Sequence, residues 1–125
     1  MSVLVLEDEL HIRKIIVRLL RQLGFSSIYE VSDGVDGMKE LLRVRPSLIL
    51  CDIRMPKVNG VECVDYLKKN APGIPVVVVT AFPDAELAAS LLKKGIKDYL
   101  VKPVSKEKLV NTVKDIVSAG KDIGL

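Results

Sequence analysis

At 125 residues the chain has the length of one ordinary domain and too little for two. Apolar residues make up 49% of it and charged residues 28%, the balance of a soluble globular protein rather than a disordered or membrane-spanning one. A net charge of +3 with no Trp offers neither the basic field nor the aromatic platform of a nucleic-acid binder.

The longest apolar runs, Val3–Leu6, Leu48–Cys51 and Val76–Val79, fall far short of the ~20 residues that cross a bilayer. Met1 is followed at once by strand-like sequence, without the basic and apolar segments of a signal peptide. Cys51 and Cys63 lack the paired spacing of a zinc site and read as small core residues rather than a disulfide. These features place the chain in the cytoplasm. His11 has no second histidine to pair with and reads as a solvated helix residue.

Ser2–Leu6 is apolar on both faces, as a strand covered on both sides should be. Ile12, Ile15, Ile16, Leu19, Leu20 and Leu23 then recur at helical spacing, with Arg13, Lys14, Arg18 and Arg21 opposite and Gly24 as the stop. Ser27–Val31 is a weaker second strand. Asp33 offers an N-cap to a helix with Met38, Leu41 and Leu42, ended by Pro46. Gly37 within it is a weak helix former that would loosen it.

Leu48–Cys51 is the third strand and runs straight into Asp52. A loop with Met55, Pro56 and Asn59-Gly60 leads to a helix carrying Val61, Val64 and Leu67, and Pro72 and Pro75 bracket the next turn. Val76–Val79 reads as a central fourth strand. Pro83 opens a helix over 84–94 with Leu87, Leu91 and Leu92, ended at Gly95. Lys97–Val101 is the fifth strand. Ser105 caps a last helix with Leu109, Val113, Ile116 and Val117. Residues 1–119 thus form one domain, and 120–125 a short tail.

Strands alternating with helices imply right-handed crossovers and a parallel sheet covered on both faces. Five such units fit an α/β fold: an open, doubly wound, flavodoxin-like sheet in the order 2-1-3-4-5 with five helices. In such sheets the functional crevice lies beyond the carboxyl ends of the strands. Glu7, Asp8 and Glu9 follow the first strand there, Asp52 the third, Thr80 the fourth and Lys102 the fifth. A half-buried acid cluster is costly unless neutralised. Lys102 supplies one cation, and a hard divalent ion such as Mg²⁺ (or Mn²⁺), which takes carboxylates, waters and phosphate oxygens, supplies another. Glu7, Asp8 and Asp52 read as a metal pocket with open coordination positions. Thr80 can donate a hydrogen bond to an oxygen arriving at Asp52.

These positions resemble the bacterial response-regulator receiver domain. Val3-Leu-Val-Leu-Glu-Asp-Glu9 resembles its first strand and acidic pair, and Leu48-Ile-Leu-Cys-Asp52-Ile-Arg-Met-Pro56 with Asn59-Gly60 its phosphoacceptor segment. Val76-Val-Val-Val-Thr80-Ala81 and Asp98-Tyr-Leu-Val-Lys-Pro103 match its fourth- and fifth-strand motifs. The resemblance runs from Val3 to about Ser118. It implies Asp52 as phosphoacceptor, with Asp8, Asp52 and the Arg54 carbonyl as Mg²⁺ ligands and Glu7 reaching the metal through water. It implies Lys102 as the phosphoryl partner, a cis Lys102-Pro103 bond, and Thr80 with Tyr99 as a switch pair, Tyr99 lying between the fourth and fifth helices. The partners it implies are a sensor histidine kinase or a His-containing phosphotransfer protein, and a target at the helix 4/strand 5/helix 5 surface. That target surface, with Ala88 and Ala89 beside Lys93 and Lys94, would be shallow and basic-rimmed.

The implied protein is a signalling switch that catalyses only its own phosphorylation and dephosphorylation. It would be a monomer or a phosphorylation-dependent dimer, with no membrane contact and no direct contact with nucleic acid. Arg54 and Phe82, two residues beyond Asp52 and Thr80, flank the site where water would enter, and a bulky Phe82 would shield an acyl phosphate. Three alternatives stay open: a receiver detached from a longer DNA-binding or enzymatic regulator, a small phosphatase with an Asp nucleophile, and a flavodoxin-like electron carrier. Arg54, where such a phosphatase would carry a second acid, and the acids at the strand ends weigh against the last two.

Overall fold

The computed structural model describes residues 2–54 and 60–119. Their elements alternate throughout: β1 (Ser2–Leu6), α1 (Leu10–Gln22), β2 (Ser27–Val31), α2 (Gly34–Val44), β3 (Leu48–Cys51), α3 (Gly60–Asn70), β4 (Val76–Thr80), α4 (Ala85–Lys93), β5 (Asp98–Val101) and α5 (Lys106–Ala119). All strand pairings are parallel, and the sheet order is β2-β1-β3-β4-β5, as expected. Met55, Pro56 and Asn59 of the expected phosphoacceptor segment, and the tail 120–125, lie outside the described residues.

The strand alternation of side chains divides the core in two. Leu4, Leu6, Ile49, Cys51, Val76 and Val78 pack with Leu41 of α2, Leu67 of α3 and Leu91 of α4. Val3, Val5, Leu48, Leu50, Val77, Val79 and Leu100 pack with Ile16 and Leu20 of α1 and Leu109 and Val113 of α5. A strand buried on both faces needs an unbroken apolar run, and β1, β3 and β4 have one. β2 sits at the sheet edge and exposes Glu30, which explains its weaker signal. Cys51 and Cys63 are free, buried thiols of the first core.

Helix ends follow local chemistry. Asp33, Asp84 and Ser105 accept backbone N–H bonds from Asp36 (2.8 Å), Leu87 (2.9 Å) and Lys108 (3.0 Å), each satisfying a donor the helix leaves open. Gly24 closes the turn after α1 at φ 99°, a conformation glycine enters without penalty.

β4 lies inside the sheet between β3 and β5 and is buried on both faces, as its β-branched run implies. Two element boundaries shift by a residue. Helix α4 starts at Ala85, with Asp84 rather than Pro83 at its threshold. The fifth strand starts at Asp98 rather than Lys97.

Gly37 also has a packing role. It is buried against β1, where an added Cβ would stand 2.9 Å from Leu6 Cγ, so glycine permits the close approach of α2 to the sheet. Gly37→Ala would gain about 1 kcal/mol of helix propensity and lose about 1–3 kcal/mol to overpacking. A net loss of about 1 kcal/mol is expected in urea unfolding. A more stable variant would show that α2 can move away freely.

Candidate functional site

The parallel sheet brings the carboxyl ends of β1, β3, β4 and β5 to one edge. Backbone bonds continue the ladder just past the strands: Glu7 N–H to Val31 O (3.0 Å), Asp52 N–H to Leu6 O (2.9 Å) and Lys102 N–H to Thr80 O (2.7 Å). The backbones of Glu7, Asp52 and Lys102 are therefore held by the sheet itself, which gives the site its precision. Glu7, Asp52 and Thr80 are buried and Asp8 is exposed.

Lys102 joins the two buried acids. Its Nζ stands 2.8 Å from Asp52 Oδ2 and 2.5 Å from Glu7 Oε1, with its side chain only 10% exposed. Asp52 Oδ1 accepts the Arg54 N–H at 2.9 Å, so both carboxylate oxygens of Asp52 are oriented. Glu7 Oε2 accepts the Glu9 N–H at 3.2 Å. Glu7 Oε1 meets the ammonium as an ion pair off the angle of a hydrogen bond, and among the described residues no donor is aligned on this buried oxygen.

Carboxylate oxygens of Glu7, Asp8 and Asp52 lie within 4.8 Å of one another. An all-oxygen, acid-rich donor set of this kind fits a hard divalent cation such as Mg²⁺.

Burial pushes the Glu7 carboxyl above its usual range, against the opposing pull of Lys102. Burial also acts to lower the Lys102 ammonium, but the facing Asp52 and Glu7 carboxylates outweigh it and hold it above the ordinary lysine value. For Glu7 the folded pKa exceeds the unfolded one, so its ionisation opposes folding as pH rises through that window. For Lys102 the stabilisation is present at neutral pH and is lost only as pH rises past the folded lysine value. In chelator, Glu7→Gln should therefore be more stable than wild type at neutral pH, with the gap closing on acidification through the carboxylate range. Urea unfolding across pH checks this, and a variant less stable at neutral pH would contradict it.

Thr80 and Tyr99 meet at Phe82. Thr80 Oγ1 accepts the Phe82 N–H at 3.3 Å, and the Tyr99 hydroxyl donates to the Phe82 carbonyl at 2.5 Å. Arg54 lies over the Phe82 ring, 4.0 Å from its centroid, a cation–π contact. Phe82 thus touches Thr80, Tyr99 and Arg54 together. Tyr99 packs on the face covered by α2, α3 and α4, while Asp98 faces α5 and accepts the Thr112 hydroxyl at 3.2 Å. Tyr99 is therefore on the α4 side of the sheet rather than between α4 and α5. On α4, Ala89, Lys93 and Lys94 are exposed, and Lys94 pairs with Asp65 of α3 at 2.8 Å. The Lys102-Pro103 bond is cis, as expected.

Sequence reasoning missed Arg13. Read as one of four cations on the outer face of α1, it turns back and donates to the Glu7 carbonyl at 2.7 Å and to Glu30 Oε1 at 3.1 Å. It braces the turn that carries Glu7 and Asp8. The available signal was its place one turn into the helix after the acids, within reach of their backbone. The contacts of Phe82 with Tyr99 and Arg54 carried no signal, because they join segments far apart in the chain.

A family model described as the response regulator receiver domain matches residues 3–114. The transcriptional regulatory protein ZraR of Klebsiella oxytoca is 35% identical over 120 residues, covering 94% of this chain and 26% of that protein. The hybrid signal transduction histidine kinase D of Dictyostelium discoideum is 35% identical over 121 residues, covering 95% of this chain and 8% of that protein. The chain thus spans about a quarter or less of the length of these relatives. Among solved structures, a response regulator receiver domain protein from Clostridium thermocellum superposes with TM-score 0.88 at 26% identity, covering 98% of both chains. The CheX-CheY-BeF3-Mg complex from Borrelia burgdorferi shares the fold, with TM-score 0.88 at 24% identity over 93% of this chain and 88% of that one. No helix among the described residues is long and apolar enough to cross a membrane. The chain belongs to the response regulator receiver domain family, the signalling domain of two-component systems.

Proposed function

We propose that Asp52 accepts a phosphoryl group from a phosphohistidine of a sensor kinase or phosphotransfer protein. The single observation that carries this is the oriented Asp52 carboxylate, held by the Arg54 N–H and the Lys102 ammonium beside an acid cluster suited to a cation. In the transfer a carboxylate oxygen of Asp52 bonds to phosphorus as the donor's P–N bond breaks, and the imidazole departs with the electron pair of that bond. Positioning and charge neutralisation are most of what such a transfer needs.

Glu7, Asp8, Asp52 and the Arg54 carbonyl would hold the Mg²⁺, Glu7 through water; the ion supplies charge neutralisation to the phosphoryl oxygens when bound. Lys102, already in contact with Asp52, would shift one hydrogen bond to the incoming phosphoryl group, and Thr80 would donate to another of its oxygens. The related complex from Borrelia burgdorferi, which contains BeF3 and Mg, agrees with this reading. The domain would catalyse only its own phosphorylation and dephosphorylation.

Output follows from Phe82. If Thr80 swings to the phosphoryl group it releases the Phe82 N–H, and the Phe82 carbonyl that anchors Tyr99 moves with it. The change would reach a target protein through α4, β5 and α5, with 1–119 acting as the switching unit in the cytoplasm. Addition of beryllofluoride and Mg²⁺ should shift the amide resonances of Thr80, Phe82 and Tyr99 together. Tyr99→Phe should uncouple the last of these while leaving phosphorylation intact. Unchanged resonances at Phe82 and Tyr99 on a saturated protein would refute the coupling.

A further inference from the structure

We propose that a groove between α1 and the sheet-edge strand β2 is a second docking site, fitted to a short acidic segment of a partner protein. The groove has a volume of about 540 Å³ and is lined by Lys14, Val17, Arg18, Arg21 and Gln22 of α1 and Glu30 of β2. A solvated cationic helix face ordinarily carries carboxylates three or four residues from its bases, which relieve the repulsion. Helix α1 carries none between Leu10 and Gln22, whereas on α2 Arg43 is paired with Glu40.

Lys14, Arg18 and Arg21 are exposed and fall at i, i+4 and i+7, on one side of the helix. Among the described residues none of the three has a carboxylate within 4.0 Å. The one nearby acid, Glu30, is engaged by Arg13 at 3.1 Å. Three like charges thus share a concave surface without compensation, a free-energy cost that an anionic occupant would relieve.

The lining favours a peptide over nucleic acid. None of its residues is aromatic, so bases find nothing to stack on, and Glu30 in the wall would repel a continuous row of phosphates. An acidic peptide can set carboxylates against the forks of Arg18 and Arg21 and an apolar residue over Val17. β2 pairs only with β1 among the described strands, so its outer edge is open to an extended segment lying alongside. The lining includes none of Glu7, Asp8, Asp52, Thr80 and Lys102, so occupancy leaves the phosphorylation site uncovered.

The test is a titration of the isotope-labelled protein with a short peptide rich in Asp and Glu, followed by amide resonances, with oligothymidylate in a parallel arm. Saturable shifts confined to Lys14–Gln22 and Ser27–Val31 are expected, weakening as salt is raised. Binding should fall roughly tenfold in Arg18→Gln/Arg21→Gln and stay unchanged in Lys68→Gln/Lys97→Gln. Shifts spread over basic residues without saturation, affinity independent of salt, undiminished binding by the arginine variant, or tighter binding of oligothymidylate would each overturn the proposal. The salt series on wild type decides the matter even if a variant fails to fold.

Discussion

Replacing Lys102 by Met should destabilise the metal-free protein by about 3 kcal/mol, the usual cost of removing one partner from a buried ionic cluster. The Lys102 ammonium contacts both Glu7 and Asp52, which are buried. Without it two carboxylates face each other with no cation between them, and each must protonate or draw in water. Added Mg²⁺ should restore most of the loss, because a bound cation replaces the missing charge and stabilises the folded state by mass action. Wild type should gain much less from Mg²⁺, since its acids are already partly neutralised. Urea unfolding of both proteins in chelator and in Mg²⁺ measures the difference. Equal stability in chelator would mean that the ion pair contributes nothing, and equal Mg²⁺ effects would mean that the cation does not enter this cluster.

Asp52→Asn should leave the fold intact and weaken Mg²⁺ binding on the order of a hundredfold, at the upper end of what disturbing a metal site costs. The Arg54 N–H that now donates to Asp52 Oδ1 at 2.9 Å can donate equally to an amide oxygen, so the loop after β3 keeps its anchor. What disappears is one formal charge from a cluster of three acids, and Mg²⁺ is held through only one or two such carboxylates. Calorimetric titration with Mg²⁺ reads the effect. Near-wild-type affinity would place the metal on other groups and remove Asp52 from its coordination.

The fold and the core of the site were legible because each strand ends where its apolar run ends. Leu6, Cys51 and Thr80 close β1, β3 and β4, and the first polar group beyond or at each close belongs to the crevice. That rule needs only the period of the chain and the handedness of its crossovers, both local consequences of sequence. Three features were not legible, for one shared reason. Arg13 turning back to Glu7, Gly37 admitting Leu6, and Tyr99 meeting Phe82 are contacts of one side chain with a particular atom of another segment, near in the chain for Arg13 and distant for the other two. Periodicity reports which face of an element is apolar, but not which atom of a neighbour stands opposite a given side chain.

Intact-protein mass spectrometry after incubation with acetyl phosphate, with Mg²⁺ or with chelator, shows whether Asp52 is a metal-dependent phosphoacceptor. One added phosphoryl group in Mg²⁺, none in chelator and none in Asp52→Asn under either condition is the expected result. An adduct that survives chelation or the Asp52→Asn substitution would contradict the account, because the phosphoryl group would then reside elsewhere or need no cation at the acid cluster.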